Sequence, residues 1–253
     1  MITIKSKQEW TVLREGGKRL AVILRQVAAN VRPGITTLVL DQLAEKLIRE
    51  TGDEPAFLRY QPWGAQYPYP ASLCVSVNNE VVHGIPDTTI LKEGDIVSLD
   101  FGVRHRGLIT DAAVTVPVGK IDARTQKLID ITKEALDVGI KAVRPGGFVG
   151  DIGKAIEKYV APHKFGIVKK LGGHGVGYEV HEEPYIPNFK TKGNGPKLKP
   201  GMVIALEPML NAGTDDVYLD KDGYTFKTAD GKKSAHFEHT VLITEDSAEI
   251  LTN

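Results

Sequence analysis

Residues 95–115 read DIVSLDFGVRHRGLITDAAVT. Two β-rich runs, 96–103 and 108–116, flank His105-Arg106-Gly107, and a glycine beside polar residues is typical of a turn. The stretch therefore predicts a β-hairpin. With the turn centred between His105 and Arg106, Asp100 lies directly opposite Asp111, and like charges at facing positions are destabilising. Protonation of one aspartate, or a register in which one faces solvent, would remove the repulsion. The alternative with chemical consequences is a divalent metal ion held by both carboxylates.

The composition restricts the class of protein. The 253 residues are 42% apolar, which is enough for one large domain or two small ones. Lys and Arg total 32, and so do Asp and Glu, so no broad basic surface for nucleic acid or an anionic membrane is expected. A single cysteine, Cys74, excludes an internal disulfide framework, and the first residues, MITIKSKQEW, lack the apolar run of a signal peptide. We expect a cytoplasmic protein without a membrane segment.

Two helices and a loop are predicted before the hairpin. Residues 6–9 have capping-box spacing and lead into apolar positions at helical period up to a Val-Arg-Pro-Gly stop at 31–34. Thr36 or Thr37 caps a second helix that ends near Gly52. Residues 53–72 are rich in proline and aromatic side chains, which predicts an irregular loop that either lines a pocket or packs on its own core. Residues 74–82 are strand material broken by an Asn-Asn turn.

The same order of elements begins again after residue 119. Asp122 caps a helix that runs to Val143, the Val-Arg-Pro-Gly stop recurs at 143–146, and residues 151–160 form a further helix. Residues 198–207 match 91–100 at a constant offset of 107 positions. Val-His followed by Pro three residues after the His occurs at both 82–86 and 180–184. These matches in one order predict two related halves, about 1–119 and 120–253.

The repeat predicts which side chains meet. Glu207 is the counterpart of Asp100, and halves packed about a pseudo-twofold axis would bring both to one central site, together with His83 and His181. The one long strand that remains, 235–244, carries Glu238 as the counterpart of Asp111. Four carboxylates in a water-poor cleft are untenable without cations, and two divalent ions would balance them.

His174 is the candidate nitrogen ligand. It lies in Gly172-Gly173-His174-Gly175-Val176-Gly177, where glycines permit a close backbone approach that a Cβ would block. A flexible glycine loop with an incidental histidine, or a phosphate-binding loop, are the alternatives. Neither the Walker A pattern nor the dinucleotide-binding pattern fits, because no Lys-Ser/Thr follows and the strand-glycine-helix context is absent. Four convergent acids favour a metal ligand.

Six segments together resemble the type I methionine aminopeptidases, metalloenzymes of the pita-bread fold. In chain order they are 79–86, the hairpin 100–111, 173–175, 181–184, 207–209 and 237–240. They extend over nearly the whole chain, and the six together are specific to this family, although no single segment is. The resemblance implies an α+β fold in which two pseudo-twofold-related halves build a central curved antiparallel sheet covered by helices. It also implies one catalytic domain, 1–253, of the short bacterial form.

The resemblance implies a set of metal ligands, namely Asp100, Asp111, His174, Glu207 and Glu238. Asp100 would chelate one of two divalent ions, Asp111 and Glu238 would bridge both, and the remaining two residues would complete the other. A hydroxide between the ions would attack the carbonyl after the first residue, and Glu207 would take its proton.

The resemblance also implies how substrate is held. His181 would stabilise the tetrahedral oxyanion, and His83 would contact the scissile amide nitrogen. Cys74, Tyr69 and Tyr224 are similar to residues that line the family's methionine pocket, an apolar slot suited to a thioether. The expected activity is removal of the initiator methionine from nascent proteins with a small second residue.

Two positions depart from the family pattern. Val180 and Leu171 stand where the family usually has aromatic residues, and the run 174–184 is closer to Xaa-Pro peptidases of the same fold. An Xaa-Pro aminopeptidase or dipeptidase is therefore an alternative, although those enzymes carry an additional N-terminal domain and this chain starts with the first helix of the catalytic unit. An inert peptide-binding relative is a further alternative, which the complete ligand set disfavours.

The identity of the ions is left open by the sequence. One histidine and four carboxylates suit Mn(II), Fe(II) or Co at least as well as Zn. We expect a monomer that acts on the N-termini of nascent polypeptides, with transient ribosome association through exposed lysines, namely Lys169, Lys170, Lys197 and Lys199.

Overall fold

A computed structural model describes all residues 1–253, and it contains four α-helices. They are α1 (Lys7–Ala29), α2 (Thr37–Glu50), α3 (Ala123–Ala142) and α4 (Val149–Val160). The predicted starts are confirmed: Ser6 forms a capping box with Glu9, Thr36 caps α2, and Asp122 accepts the first free N–H groups of α3. None of these helices is long and apolar enough to cross a membrane.

Fifteen strands accompany the helices. They are β1 (Glu54–Pro55), β2 (Cys74–Val77), β3 (Glu80–Val82), β4 (Ile96–His105), β5 (Leu108–Pro117), β6 (Gly166–Ile167), β7 (Gly173–Gly175), β8 (Glu182–Ile186), β9 (Val203–Leu206), β10 (Met209–Asn211), β11 (Val217–Leu219), β12 (Phe226–Thr228), β13 (Ser234–His236), β14 (Glu238–Ile243) and β15 (Ala248–Ile250). The predicted break at Asn78-Asn79 separates β2 from β3.

The main sheet has a symmetric strand order. Its path is β1-β4-β5-β14-β9-β7-β8, with β2 added on β4 and β15 on β14, and all pairs are antiparallel. The hairpin β4-β5 of the first half therefore faces the pair β9-β14 of the second half across the central pair β5-β14. Helix α1 packs on β4 and β5, while α3 packs on β9 and β14. This is the pita-bread fold, with two pseudo-twofold-related halves that share one sheet.

The predicted hairpin exists, but its predicted register was wrong. Arg106 and Gly107 both have positive φ, 47° and 86°, so they form a two-residue turn of the kind that matches strand twist. Asp100 consequently pairs with Ala113, and Asp111 pairs with Gly102. The shift is two positions, an even number, so both aspartates stay on one face as diagonal neighbours. Both are buried, which excludes a register that turns one of them to solvent.

A hydroxyl group joins the two halves at the central pair. The Asp111 N–H donates to Thr240 Oγ1 at 2.7 Å, and Thr240 Oγ1 donates to the Asp111 carbonyl at 2.7 Å. The prediction of one long strand over 235–244 was wrong in one respect, because the structure divides this segment into β13 and β14 at Phe237. Strand β13 leaves the main sheet and pairs with β10, while β14 pairs with β5 and β9. The division places Glu238 at the first position of β14.

Candidate active site

The four predicted carboxylates line a single cavity. Asp100 and Asp111 come from β4 and β5, Glu207 follows the last residue of β9, and Glu238 begins β14. The cavity has a volume of about 60 Å³ and also contains His83, His174 and His181. The sheet order explains the convergence, since these four strands are consecutive neighbours in the main sheet.

The carboxylates have no cation among the side chains of the cavity. Burial followed by repulsion from neighbouring acids raises the pKa values of Asp100, Glu207 and Glu238 well above their usual range. Burial raises the pKa of Asp111 to about 7. Asp100 Oδ1, Asp111 Oδ1 and Glu238 Oε1 are buried without a hydrogen-bond partner. Buried, unpartnered carboxylate oxygens facing one another are a donor set suited to divalent metal ions.

His174 has the tautomer of a metal ligand. Its Nδ1 lies 2.9 Å from the Gly175 carbonyl, which can only accept, so Nδ1 carries the proton and Nε2 presents a lone pair. That Nε2 is 3.4 Å from Glu207 Oε1, a second acceptor. Ligand atoms of Asp111, His174 and Glu238 all lie within 4.8 Å of one another. Two lone pairs that face each other require a cation or a proton between them.

The glycines around His174 permit close packing, as predicted. A Cβ on Gly173 would lie 2.2 Å from the Ala205 carbonyl oxygen, and one on Gly175 would lie 2.3 Å from the Glu183 carbonyl oxygen. Strand β7 can therefore approach β8 and β9 closely enough to pair with both. The loop is not a phosphate-binding loop, because His174 is held in the sheet.

The two Val-His repeats deliver His83 and His181 to the cavity wall. His83 adopts a positive φ of 60°, and burial lowers its pKa to about 4. The pKa of His181 is also lowered, first by the surrounding protein and then by His174, although its ring remains open to the cavity mouth. The His181 Nδ1 lies 2.9 Å from the Tyr60 hydroxyl. A tyrosine hydroxyl can donate or accept, so this contact permits the neutral tautomer in which Nδ1 accepts from Tyr60 and the proton on Nε2 is free to be donated.

An aromatic wall forms the apolar side of the cavity. Tyr69 donates to the Gly84 carbonyl at 2.8 Å, and its ring meets that of Tyr224 edge to face at 5.1 Å between centroids. Tyr224 in turn donates to the Tyr67 carbonyl. Cys74 is buried beside them, and its pKa is raised first by burial, which keeps the thiol protonated. The loop 53–72 therefore lines the pocket and also packs on the core.

Comparison with known proteins assigns the family. The model of metallopeptidase family M24 matches residues 11–245. The chain is 44% identical over 252 residues to methionine aminopeptidase 1 of Bacillus subtilis, covering 100% of this chain and 99% of the relative. The crystal structure of methionine aminopeptidase from Rickettsia prowazekii superposes with a TM-score of 0.95 at 39% identity over the full length of both chains.

The chain belongs to the methionine aminopeptidases of metallopeptidase family M24. Members of this family are metallo-exopeptidases, so the resemblance found in the sequence is confirmed. A prolidase from Pyrococcus furiosus shares the fold at a TM-score of 0.77 and 23% identity, and this chain spans 65% of its length. That likeness extends to the fold alone.

Four residues near the site were not among those predicted from the sequence. Phe57, Tyr60 and Pro62 line the cavity, and the aromatic and proline content of their loop was the signal. His236 lies behind Glu207, with its Nε2 3.6 Å from Glu207 Oε2, and its spacing of two residues before Glu238 was the available signal.

The two departures from the family pattern lie in different places. Val180 lines the cavity, whereas Leu171 lines a separate groove beside it together with His83, His174 and Glu207. A change at 180 therefore alters the cavity wall directly, and a change at 171 alters its approach.

Proposed function

We propose that this chain removes the N-terminal methionine from polypeptides with a small second residue, using two divalent metal ions. The observation that carries the proposal is a group of four carboxylates and one histidine lone pair with no cation among them, directly beside an apolar wall that includes Cys74, Tyr69 and Tyr224. Such a site combines a strong demand for positive charge with a slot for an uncharged thioether side chain.

The metal ligands in this proposal are Asp100, Asp111, His174, Glu207 and Glu238. Two divalent ions would balance four carboxylate charges, and the three unpartnered oxygens would gain partners. When bound, the ions would polarise the peptide carbonyl and acidify a water molecule. The oxygen-rich set suits Mn(II), Fe(II) or Co, with Zn as a further candidate.

The other polar residues of the cavity orient the substrate and move protons. His181 Nε2–H donates to the carbonyl oxygen of the first residue as negative charge develops there, while Tyr60 holds the ring through Nδ1. His83 contacts the scissile amide nitrogen. Glu207 accepts a proton from the attacking water, a role that suits a carboxylate whose basicity is raised by burial and a neighbouring acid.

The methionine side chain lies against the aromatic wall in this proposal. The hydroxyls of Tyr69 and Tyr224 are turned away to backbone carbonyls, so the ring faces remain for an apolar side chain. The hydrogen bonds from Tyr224 to Tyr67, and from the Tyr67 hydroxyl to the Asp222 carbonyl, join two loops over the pocket and help to exclude water.

A peptide panel tests this function. We expect the full chain, loaded with Mn(II) or Co, to cleave Met-Ala and Met-Gly peptides and to leave Met-Leu peptides intact, with two ions per chain by elemental analysis. Asp111→Asn should abolish activity and lower the metal content. Cleavage of Xaa-Pro substrates but not of Met-Ala would contradict the assignment of substrate, and full activity of Asp111→Asn would revive the inert-relative alternative.

We further propose that residues 1–253 act as one catalytic domain, in the cytoplasm and as a monomer, on the N-termini of nascent chains. Transient ribosome association through surface lysines stays a prediction. Lys169 pairs with Asp215 at 2.7 Å and Lys170 donates to the Val217 carbonyl, so Lys197 and Lys199 are the better candidates of the four. Charge reversal at these two positions followed by ribosome co-sedimentation would test it.

A further inference from the structure

The ring of His236 is buried beside the proposed metal ligands without a hydrogen-bond partner. It is 1% exposed, and neither Nδ1 nor Nε2 has a partner. Its backbone is held on both sides by Thr115 Oγ1, which accepts from the His236 N–H and donates to the His236 carbonyl, each at 2.8 Å. These bonds hold the backbone from which the ring extends. Leaving a buried polar group unpaired is unfavourable, so a partner is expected in the working state.

Glu207 is that partner by proximity. His236 Nε2 lies 3.6 Å from Glu207 Oε2, and a hydrogen bond of usual length, about 2.9 Å, needs a shift of roughly 0.7 Å. The other oxygen of the same carboxylate, Oε1, lies 3.4 Å from His174 Nε2. The carboxylate of Glu207 is therefore placed between two imidazole rings.

The two rings offer different atoms to Glu207. His174 donates from Nδ1 to the Gly175 carbonyl, so its Nε2 carries a lone pair and cannot donate to Oε1. His236 has no such constraint on Nδ1, and a neutral imidazole with a proton on Nε2 is a donor directed at Oε2. One oxygen of Glu207 thus faces a ligand nitrogen, and the other faces a donor.

We propose that His236 is a positioning residue of the metal centre, whose Nε2–H donates to Glu207 Oε2 and directs Oε1 toward His174. The inference rests on the proposed function, since it assumes that Glu207 and His174 hold an ion between them. Outer partners of a ligating carboxylate typically change metal affinity by 10–100-fold. His236 would give this centre such a partner from β13, outside the main sheet.

Two substitutions of the full chain test the inference by metal binding rather than by turnover. His236→Leu fills a similar volume without a donor, and His236→Gln keeps an N–H donor on a side chain of similar reach. Calorimetric titration of metal-free protein with Mn²⁺ should give about 10–100-fold weaker binding for His236→Leu and near-wild-type binding for His236→Gln. Metal-free His236→Leu should melt at or above the wild-type temperature, because an unpaired buried ring has been removed.

Three results would overturn the inference. They are wild-type Mn²⁺ affinity in His236→Leu, an affinity of His236→Gln as weak as that of His236→Leu, and metal-free His236→Leu that melts below the wild type or does not fold. The last would mean that the ring has a structural partner of its own. Failure of the proposed function looks different, because the wild-type chain itself would then take up no Mn²⁺ and leave Met-Ala peptides intact.

Discussion

A buried ion pair between the N-terminal segment and the residue after His181 provides a sharp test of how the site is held. Lys5 Nζ lies 2.6 Å from Glu182 Oε2, and the two side chains are 0% and 6% exposed. Glu182 Oε1 accepts the backbone N–H groups of Tyr178 at 2.6 Å and Glu179 at 3.1 Å. The carboxylate therefore organises the loop that brings His181 to the cavity, and Lys5 neutralises it.

The two single substitutions are expected to differ in size. Removing one partner of a buried pair costs about 3–5 kcal/mol. Lys5→Met leaves a carboxylate that still accepts two backbone N–H groups and the Thr3 hydroxyl, so we expect about 3 kcal/mol. Glu182→Gln leaves a fully buried ammonium without an anion, so we expect about 5 kcal/mol. At roughly 2–4 °C per kcal/mol for a chain of this size, the melting temperature falls by about 6–12 °C and 10–20 °C.

Urea unfolding and calorimetry of the two variants and of the double variant Lys5→Met/Glu182→Gln would measure these costs. Because the side chains form one pair, the double variant should lose about 2–3 kcal/mol less than the sum of the singles. Arg14→Met is the matched control, since the Arg14–Glu249 pair is 38% and 36% exposed and should contribute about 1 kcal/mol or less. Additive losses, or a loss for Lys5→Met no larger than for Arg14→Met, would refute the reasoning.

Three further outcomes are expected. The pKa of Asp111 is raised from 3.8 to about 7, so the folded metal-free protein keeps a proton there that the unfolded chain has lost, and the contribution of Asp111 to the free energy of unfolding should fall as pH rises from about 4 to 7. Buried neutral histidines such as His83 act in the opposite direction. The test is therefore the stability of the wild type relative to Asp111→Asn, which should fall between pH 5 and pH 8 in urea melts with a chelator and recover with Mn²⁺ at pH 8. Tyr60→Phe removes the hydroxyl that is hydrogen-bonded to His181 Nδ1, and it should lower kcat by about 2–12-fold with little change in KM, as peptide kinetics would show. Gly173→Ala places a Cβ 2.2 Å from a carbonyl oxygen, so the bound metal should fall and stability should drop by about 1–3 kcal/mol or more, by elemental analysis and urea melts.

Each of these has a control and a contradicting result. A metal-free wild type that gains stability relative to Asp111→Asn from pH 5 to pH 8 would show that Asp111 is not protonated in the folded state. Tyr159→Phe removes a hydroxyl bonded to Glu134 far from the cavity and should leave kcat unchanged; an equal effect would remove any special role for Tyr60. Gly193→Ala is the control, because Gly193 has a positive φ of 82° that disfavours alanine but has no atom within 4 Å of the added Cβ. It should leave the metal content unchanged, unlike Gly173→Ala.

Local signals predicted most of the secondary structure, because helix ends are determined by residues within a few positions of one another. Ser6, Thr36 and Asp122 cap helices where their patterns indicated. The internal repeat predicted which acids meet, since a duplicated unit places equivalent side chains about one axis. The hairpin register was beyond this reasoning, because Arg106-Gly107 and the neighbouring pair His105-Arg106 are both credible turn centres and only backbone twist selects between them.

Contacts between distant segments were the part that sequence reasoning could not supply. Lys5 and Glu182 are separated by 177 positions, and Tyr60 and His181 by 121, so no periodicity relates them. His236 was not predicted as a site residue, because the predicted strand is divided at Phe237 and the backbone of His236 lies outside the main sheet. Each of these residues acts through tertiary packing that brings one loop or strand onto another.

The Thr240 hydroxyl that bridges to Asp111 lies where the two halves join, and the proposed metal ligands come from both sides of this border, Asp100 and Asp111 from the first half and His174, Glu207 and Glu238 from the second. In a growing polypeptide His174 and Glu207 are made before β14, but β14 is the strand that pairs with both β5 and β9, so nothing in the main sheet joins them to Asp100 and Asp111 until near the end of synthesis. We therefore expect the proposed metal centre to be complete only when both halves are assembled. Fragments comprising residues 1–119 or 120–253 should each fail to bind the two metal ions. A mixture of the fragments should bind them only if the two halves reassemble through the β5–β14 pair.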